Sequence, residues 1–148
     1  MTKPSYTGAE RRQRTHAMIE ELLQERKQMW ALYWEVAELQ PYERHKESLD
    51  KILNRFCQIL IDYISLGHFG IYQYLLNGTE RRRKVLEAAE KLYPAISESA
   101  EAALDFNDRY EKAQLTDPER LARELSQLGE ALASRIELED QLIDSMTR

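Results

Sequence analysis

The sequence predicts an all-α chain built on an antiparallel four-helix-bundle core with additional short helices. Three observations carry that prediction. Apolar residues recur at helical spacing through almost the whole chain, nothing alternates at period two over a useful length, and the 148 residues include only 5 Gly and 4 Pro. At that length a single helical domain spanning residues 1–148 can bury a core without disulfides or metals. The first eight or so residues, with Pro4 and Gly8, are expected to be disordered.

The first helix is marked by Ile19, Leu22, Leu23, Met29, Trp30, Tyr33, Val36 and Ala37, and Pro41 stops it. The second has the cleanest stripe: Leu49, Ile52, Leu53, Phe56, Ile59, Leu60 and Tyr63 at i, i+3, i+4, i+7. Cys57, Ile61 and Ile64 widen it, which places this helix centrally in the bundle. Gly67 is expected to break it, with Phe69 to Leu76 forming a short helix that ends at Asn77-Gly78. Thr79 is placed to cap a segment carrying Val85, Leu86, Ala89 and Leu92 inward as far as Pro94. A fourth pattern uses Ile96, Ala100, Ala103, Leu104 and Tyr110. Asp117-Pro118, a side-chain acceptor followed by proline at the first helical position, starts the last helix. Leu121, Leu125, Leu128, Leu132, Ile136, Leu142 and Ile143 form its apolar face.

The start of the chain has no apolar run of signal-peptide type, and no stretch approaches the roughly 18 apolar residues of a spanning helix. A lone Cys57 cannot close an internal disulfide, which suits a cytoplasmic location. The net charge of −5 is unevenly distributed: residues 94–148 hold 6 basic against 13 acidic groups. An acidic final third disfavours nucleic acid and suits a basic protein partner or a merely solvated surface. Arg81-Arg82-Arg83-Lys84 is the one dense basic cluster, and with Glu80, Glu87 and Glu90 beside it a solvated charged face is the simpler account.

Catalytic signatures are missing. The residues three before His16, His45 and His68 are Gln13, Tyr42 and Ser65, so the Glu-x-x-His pair of di-metal bundles is absent. One Cys with three scattered His offers no zinc spacing, and there is no phosphate loop or nucleophile elbow. The expectation is a binding protein with no cofactor, no metal and no membrane contact, monomeric or weakly self-associating.

Residues 56–72 do not read as plain core. Asp62, Ser65 and His68 follow at intervals of three near the end of the most apolar helix. A carboxylate near a helix C-terminus opposes the dipole, whereas a protonated imidazole there is favoured. Two accounts fit: a local hydrogen bond holding a helix-to-helix corner, or an anion displayed beside exposed aromatics, Phe69, Tyr72 and Tyr74.

Phe56-Cys57-Gln58, Asp62-Tyr63, Ser65 and Gly67-His68-Phe69 with Ile71-Tyr72 resemble the signature of the Rsd/AlgQ family of bacterial anti-sigma factors. The resemblance extends upstream to Arg26-Lys27, Tyr33 and Pro41, and downstream through Leu128-Gly129-Glu130-Ala131-Leu132, Arg135, Leu138-Glu139-Asp140 and Leu142-Ile143. It spans roughly residues 18 to 144. It implies a helical bundle that binds the primary sigma factor of RNA polymerase, chiefly its promoter-reading C-terminal domain, and regulates transcription by sequestration. The alternative is a cytoplasmic adaptor that relays nutrient or stress state to metabolic or signalling proteins. On the leading reading Asp62 recognises charge and Phe69 packs, with His68 and Tyr72 shaping the site. Arg26, Arg135, Glu139 and Asp140 are candidates for a second polar surface. Arg135 and Glu139 are also i, i+4 neighbours, which an ordinary helix salt bridge explains.

Overall fold

In the computed structural model, which describes residues 8–76, 80, 82–111 and 117–147, every long element is a helix. Helix α1 spans Gly8–Glu38, a short 3-10 turn Tyr42–Arg44, and α2 Lys46–Ser65. The chain then passes through a π-helical turn, Leu66–Tyr72, into α3, Gln73–Leu76. Helices α4, Arg83–Tyr110, and α5, Pro118–Thr147, complete the order. Among the described residues there is no strand, and no helix is long and apolar enough to cross a membrane. The expected fraying of the amino terminus lies outside the described residues except for Gly8, which begins α1. The stop at Asn77-Gly78 and the Thr79 cap lie outside them too.

The four long helices close a ring: α1 packs on α2 and α5, and α4 packs on α2 and α5. Every neighbouring pair runs antiparallel, as the cross-contacts show. Tyr33 meets Phe56 while Leu22 lies near Gly67; Phe56 meets Phe106 while Tyr72 meets Tyr93. Arg135 reaches Ile96 while Glu124 pairs with Arg109, and Arg26 pairs with Asp140 while Tyr33 bonds to Leu125. Within the ring lies one core, including Leu22, Met29, Val36, Leu49, Phe56, Leu60, Ile96, Ala103, Leu125 and Leu132. The α1–α5 seam is tight: Tyr33 donates its hydroxyl to the Leu125 carbonyl at 3.1 Å, and a β-carbon added at Gly129 would overlap that hydroxyl.

Two expected breaks do not occur. Pro94 sits inside α4 rather than ending a helix. A proline there removes one backbone hydrogen bond at a cost of about 3 kcal/mol. Burial of Val85, Ala89, Leu92, Ile96, Ala103 and Phe106 along one face outweighs it, since each fully buried aliphatic side chain contributes about 1.5–3 kcal/mol. Pro94 and Glu90, whose carbonyl the ring leaves without a donor, are both exposed, so solvent can serve it. Gly67 likewise does not break the chain but sits within the π turn. Leu23 and Leu104, expected inward, are exposed because each lies one position off the buried stripe of its helix.

Cys57 is fully buried, and burial, helped by the charge of Glu111, pushes its thiol up to about 12. Its labelling by a thiol reagent is therefore expected to be slow in the folded chain and to accelerate on unfolding in urea. Rapid labelling under native conditions would make Cys57 an exposed, reactive group instead.

Candidate functional site

The turn after α2 is built by spacing. Gly67, Ile71 and Leu75 continue the line of buried Tyr63 at steps of four. A step of four over-rotates an α-helix by about 40°, and the wider π turn takes that rotation back. The buried line thus stays aligned where an ideal α-helix would carry it round to solvent. The Leu66 amide still bonds to the Asp62 and Tyr63 carbonyls, while the Gln73 amide bonds to the His68 carbonyl five residues back.

This register decides which aromatics face out. Phe69 is 65% exposed, with the half-buried His68 ring edge-on against it at 4.8 Å between centroids. Tyr72 and Tyr74, expected to be exposed beside it, are buried: both fall on the inward side of the continuing helix. Asp62 is exposed, and among the described residues no hydrogen bond joins it to Ser65 or His68. The corner that such a bond was to hold does not exist, because the chain stays helical through Leu76. For the same reason Asp62 does not stand at a helix end, and the dipole argument for its strangeness lapses.

Beneath this turn lies a polar cluster in the interior. Arg135 and Glu139 are each only 1% exposed, so they are not the polar surface expected of them. They occupy the buried line of α5, between Leu132 and Leu142 at steps of three and four. Arg135 Nε donates to Glu139 Oε2 at 3.1 Å, and its Nη1 donates to the Ile96 carbonyl and to Ser99 Oγ, both at 3.1 Å. Glu139 Oε1 accepts a short hydrogen bond from the Tyr63 hydroxyl and lies 3.6 Å from Arg26 Nη1. Arg26 turns outward to Asp140 at 2.9 Å, and Asp140, 57% exposed, marks the solvent end. The cluster therefore ties together α1, α2, α4 and α5.

Its electrostatics are those of charges held out of water. Burial, reinforced by the Glu139 charge, raises the phenols of Tyr63 and Tyr72 well above their usual range. Burial works against the charge on Arg135, but Glu139 outweighs it and the guanidinium is held more firmly protonated than usual. Sequence reasoning found four members of this cluster and missed Tyr63, Ser99 and Gly67 as parts of it. The available signal was two opposite charges on the core register of α5, positions where an exposed salt bridge does not belong.

The basic stretch behaves as a paired surface where it is described. Arg82 Nε lies 3.0 Å from Glu80 and its Nη1 donates to the Met146 carbonyl at 2.7 Å, while Arg83 faces Glu87 at 3.4 Å. Arg81 lies outside the described residues.

Fold and surface together define an all-α bundle with an exposed aromatic and a free carboxylate around one widened helical turn. Known proteins make the class specific. The sequence model of the family described as "Regulator of RNA polymerase sigma(70) subunit, Rsd/AlgQ" matches residues 1–147. Proteins named "Regulator of sigma D" are similar over most of the chain. The one from Yersinia enterocolitica is 34% identical over 133 residues, covering 87% of this chain and 80% of that protein. The one from Enterobacter sp. is 34% identical over 132 residues, covering 87% and 79%. The one from Salmonella paratyphi A is 33% identical over 132 residues, covering 87% and 81%. No solved structure matches the chain. The chain belongs to the Rsd/AlgQ family of sigma-factor regulators.

Proposed function

We propose that the chain is an anti-sigma factor that holds the primary sigma factor of RNA polymerase by its promoter-reading C-terminal domain, so regulating transcription by sequestration. The observation that carries this reading is Phe69, 65% exposed on a π turn, with the exposed Asp62 seven residues before it. A large apolar ring held out of a well-packed bundle is the composition of a protein-binding hot spot. The partner domain is a helix-turn-helix whose basic residues face DNA phosphates. Asp62 takes the place of a phosphate opposite one of those arginines, in a charge-assisted hydrogen bond. Phe69 seats beside it, and His68 limits the directions that ring can take. The surplus of acid in residues 94–148 adds a field that steers a basic partner in.

Asp62→Asn keeps the size of the side chain and removes its charge. It is expected to weaken binding by about 1.5–3 kcal/mol, roughly ten- to a hundredfold. Phe69→Ala is expected to lower affinity by about 2 kcal/mol or more. Because both side chains are exposed, the melting temperature should stay within the range of ordinary surface changes. The measurement is titration calorimetry against the isolated C-terminal sigma domain at moderate salt, beside thermal unfolding of each variant. If Asp62→Asn binds as tightly as the parent, the role given to that carboxylate is wrong.

A further inference from the structure

The buried ion cluster lies against the one segment that carries the proposed binding surface. A β-carbon added at Gly67 would stand 2.9 Å from Nη2 of Arg135 and 3.4 Å from Cε2 of Tyr72. The same guanidinium lies over the Tyr63 ring at 5.4 Å and over the Tyr72 ring at 5.9 Å. Tyr63 precedes the π turn, Gly67 is its second residue and Tyr72 its last. Arg135 therefore meets the segment around Phe69 before, within and at the end of the turn.

Arg135 is itself fixed from outside that segment. Glu139 holds Nε from α5, and the Ile96 carbonyl and Ser99 hold Nη1 from α4. Ser99 in turn donates to the Ile96 carbonyl at 2.6 Å, which leaves that corner little freedom. A planar fork of five donors suits this arrangement, whereas a lysine ammonium would be a point charge unable to serve the same directions. Phe69, by contrast, has one ring neighbour, His68, so the backbone of the turn decides where it projects.

We infer that Arg135 is the positioning residue of the sigma-binding surface: anchored to α4 and α5, it sets the shape of the π turn and so the direction of Phe69, with Gly67 as the slot that admits it. The inference rests on the sigma-binding reading of Phe69. A binding ring must sit within a fraction of an ångström of its pocket, so a small shift of the turn is enough to lose affinity.

The test is a double-mutant cycle on binding, combining Arg135→Lys with Phe69→Ala. Affinity for the isolated primary sigma factor is measured at a temperature where circular dichroism shows every variant folded. Arg135→Lys is expected to weaken binding about tenfold in the parent and less than twofold when Phe69 is already alanine. Equal losses in the two backgrounds, or no loss in the parent, overturn the positioning role while leaving the Phe69 surface intact. Unchanged binding of Phe69→Ala alone overturns the surface and the inference with it. Where Arg135→Lys lowers the folded fraction, Gly67→Ala runs the same cycle, since its methyl presses on Arg135 and Tyr72 without removing a charge. The same non-additivity is expected there, and additive losses overturn the inference.

Discussion

Glu139→Ala is expected to destabilise the folded chain by about 3–5 kcal/mol, the range for removing one partner of a buried ion pair. Arg135, 1% exposed, would keep its charge in the interior with only the Ile96 carbonyl and Ser99 as acceptors. Tyr63 would lose the acceptor of its hydroxyl at the same stroke. Against a total stability of about 5–15 kcal/mol for a domain, that loss is a large fraction. The outer end of the cluster behaves differently: Asp140→Ala removes a carboxylate that is 57% exposed, and an exposed pair contributes about 0–1 kcal/mol. Replacing both interior charges, as Arg135→Met with Glu139→Leu, should recover much of the single-variant loss, because the desolvation penalty of the pair goes with it. Urea unfolding measures all of these, with the midpoint shifting and the slope unchanged. A Glu139→Ala variant within about 1 kcal/mol of the parent would mean that Arg135 escapes to water and that the cluster is not sealed.

The bundle was legible in the sequence wherever a local rule and the core agreed. Asp117 does cap α5, accepting the Arg120 amide on Oδ1 at 3.1 Å, with Pro118 at the first helical position. The stripe of α2 from Leu49 to Tyr63 falls inside as its spacing demands. Legibility failed where a local preference met a longer-range one. Pro94 and Gly67 are each read as stops because proline and glycine disfavour helix interiors. The buried faces on either side of them hold the helix together, and sequence spacing shows those faces only when the two halves are read as one.

The site was half legible. Asp62 and Phe69 do stand exposed, but the reason lies in a widened turn and not in a break. An α-helical wheel extended past Ser65 misplaces everything after it, which is why Tyr72 and Tyr74 were expected outside. Arg135 and Glu139 were read from their i, i+4 spacing, which is the same on either face of a helix. What separates an interior pair from a surface pair is the register of Leu132 and Leu142 around them. The closing partner, Tyr63, lies 76 residues away in sequence and leaves no local mark.

High pH is expected to unfold this protein abruptly. Tyr63, Tyr72 and Tyr110 are buried with their phenols held above the usual 10.0, and the buried Cys57 thiol is pushed from 9.0 up to about 12. In each case burial is the leading cause, so the folded chain resists losing a proton that the unfolded chain releases at the ordinary value. The sign follows: below about pH 9 the groups are protonated in both states and do nothing, and above it the unfolded state binds fewer protons and gains ground. Each pH unit beyond the ordinary value costs about 1.4 kcal/mol per group. At pH 11 that is about 3 kcal/mol from the thiol and about 4 kcal/mol from the three tyrosines, comparable with the whole stability of a domain. Ionising Tyr63 would also set a phenolate directly against Glu139, turning the cluster's shortest hydrogen bond into a repulsion. Helicity followed by circular dichroism should hold steady to about pH 10 and collapse before about pH 12, with tyrosinate absorbance rising over the same narrow interval. A smooth titration of all tyrosines near their ordinary value, with helicity intact at the alkaline end, would show that Tyr63 and Tyr72 reach solvent and that the polar interior beneath the π turn is open.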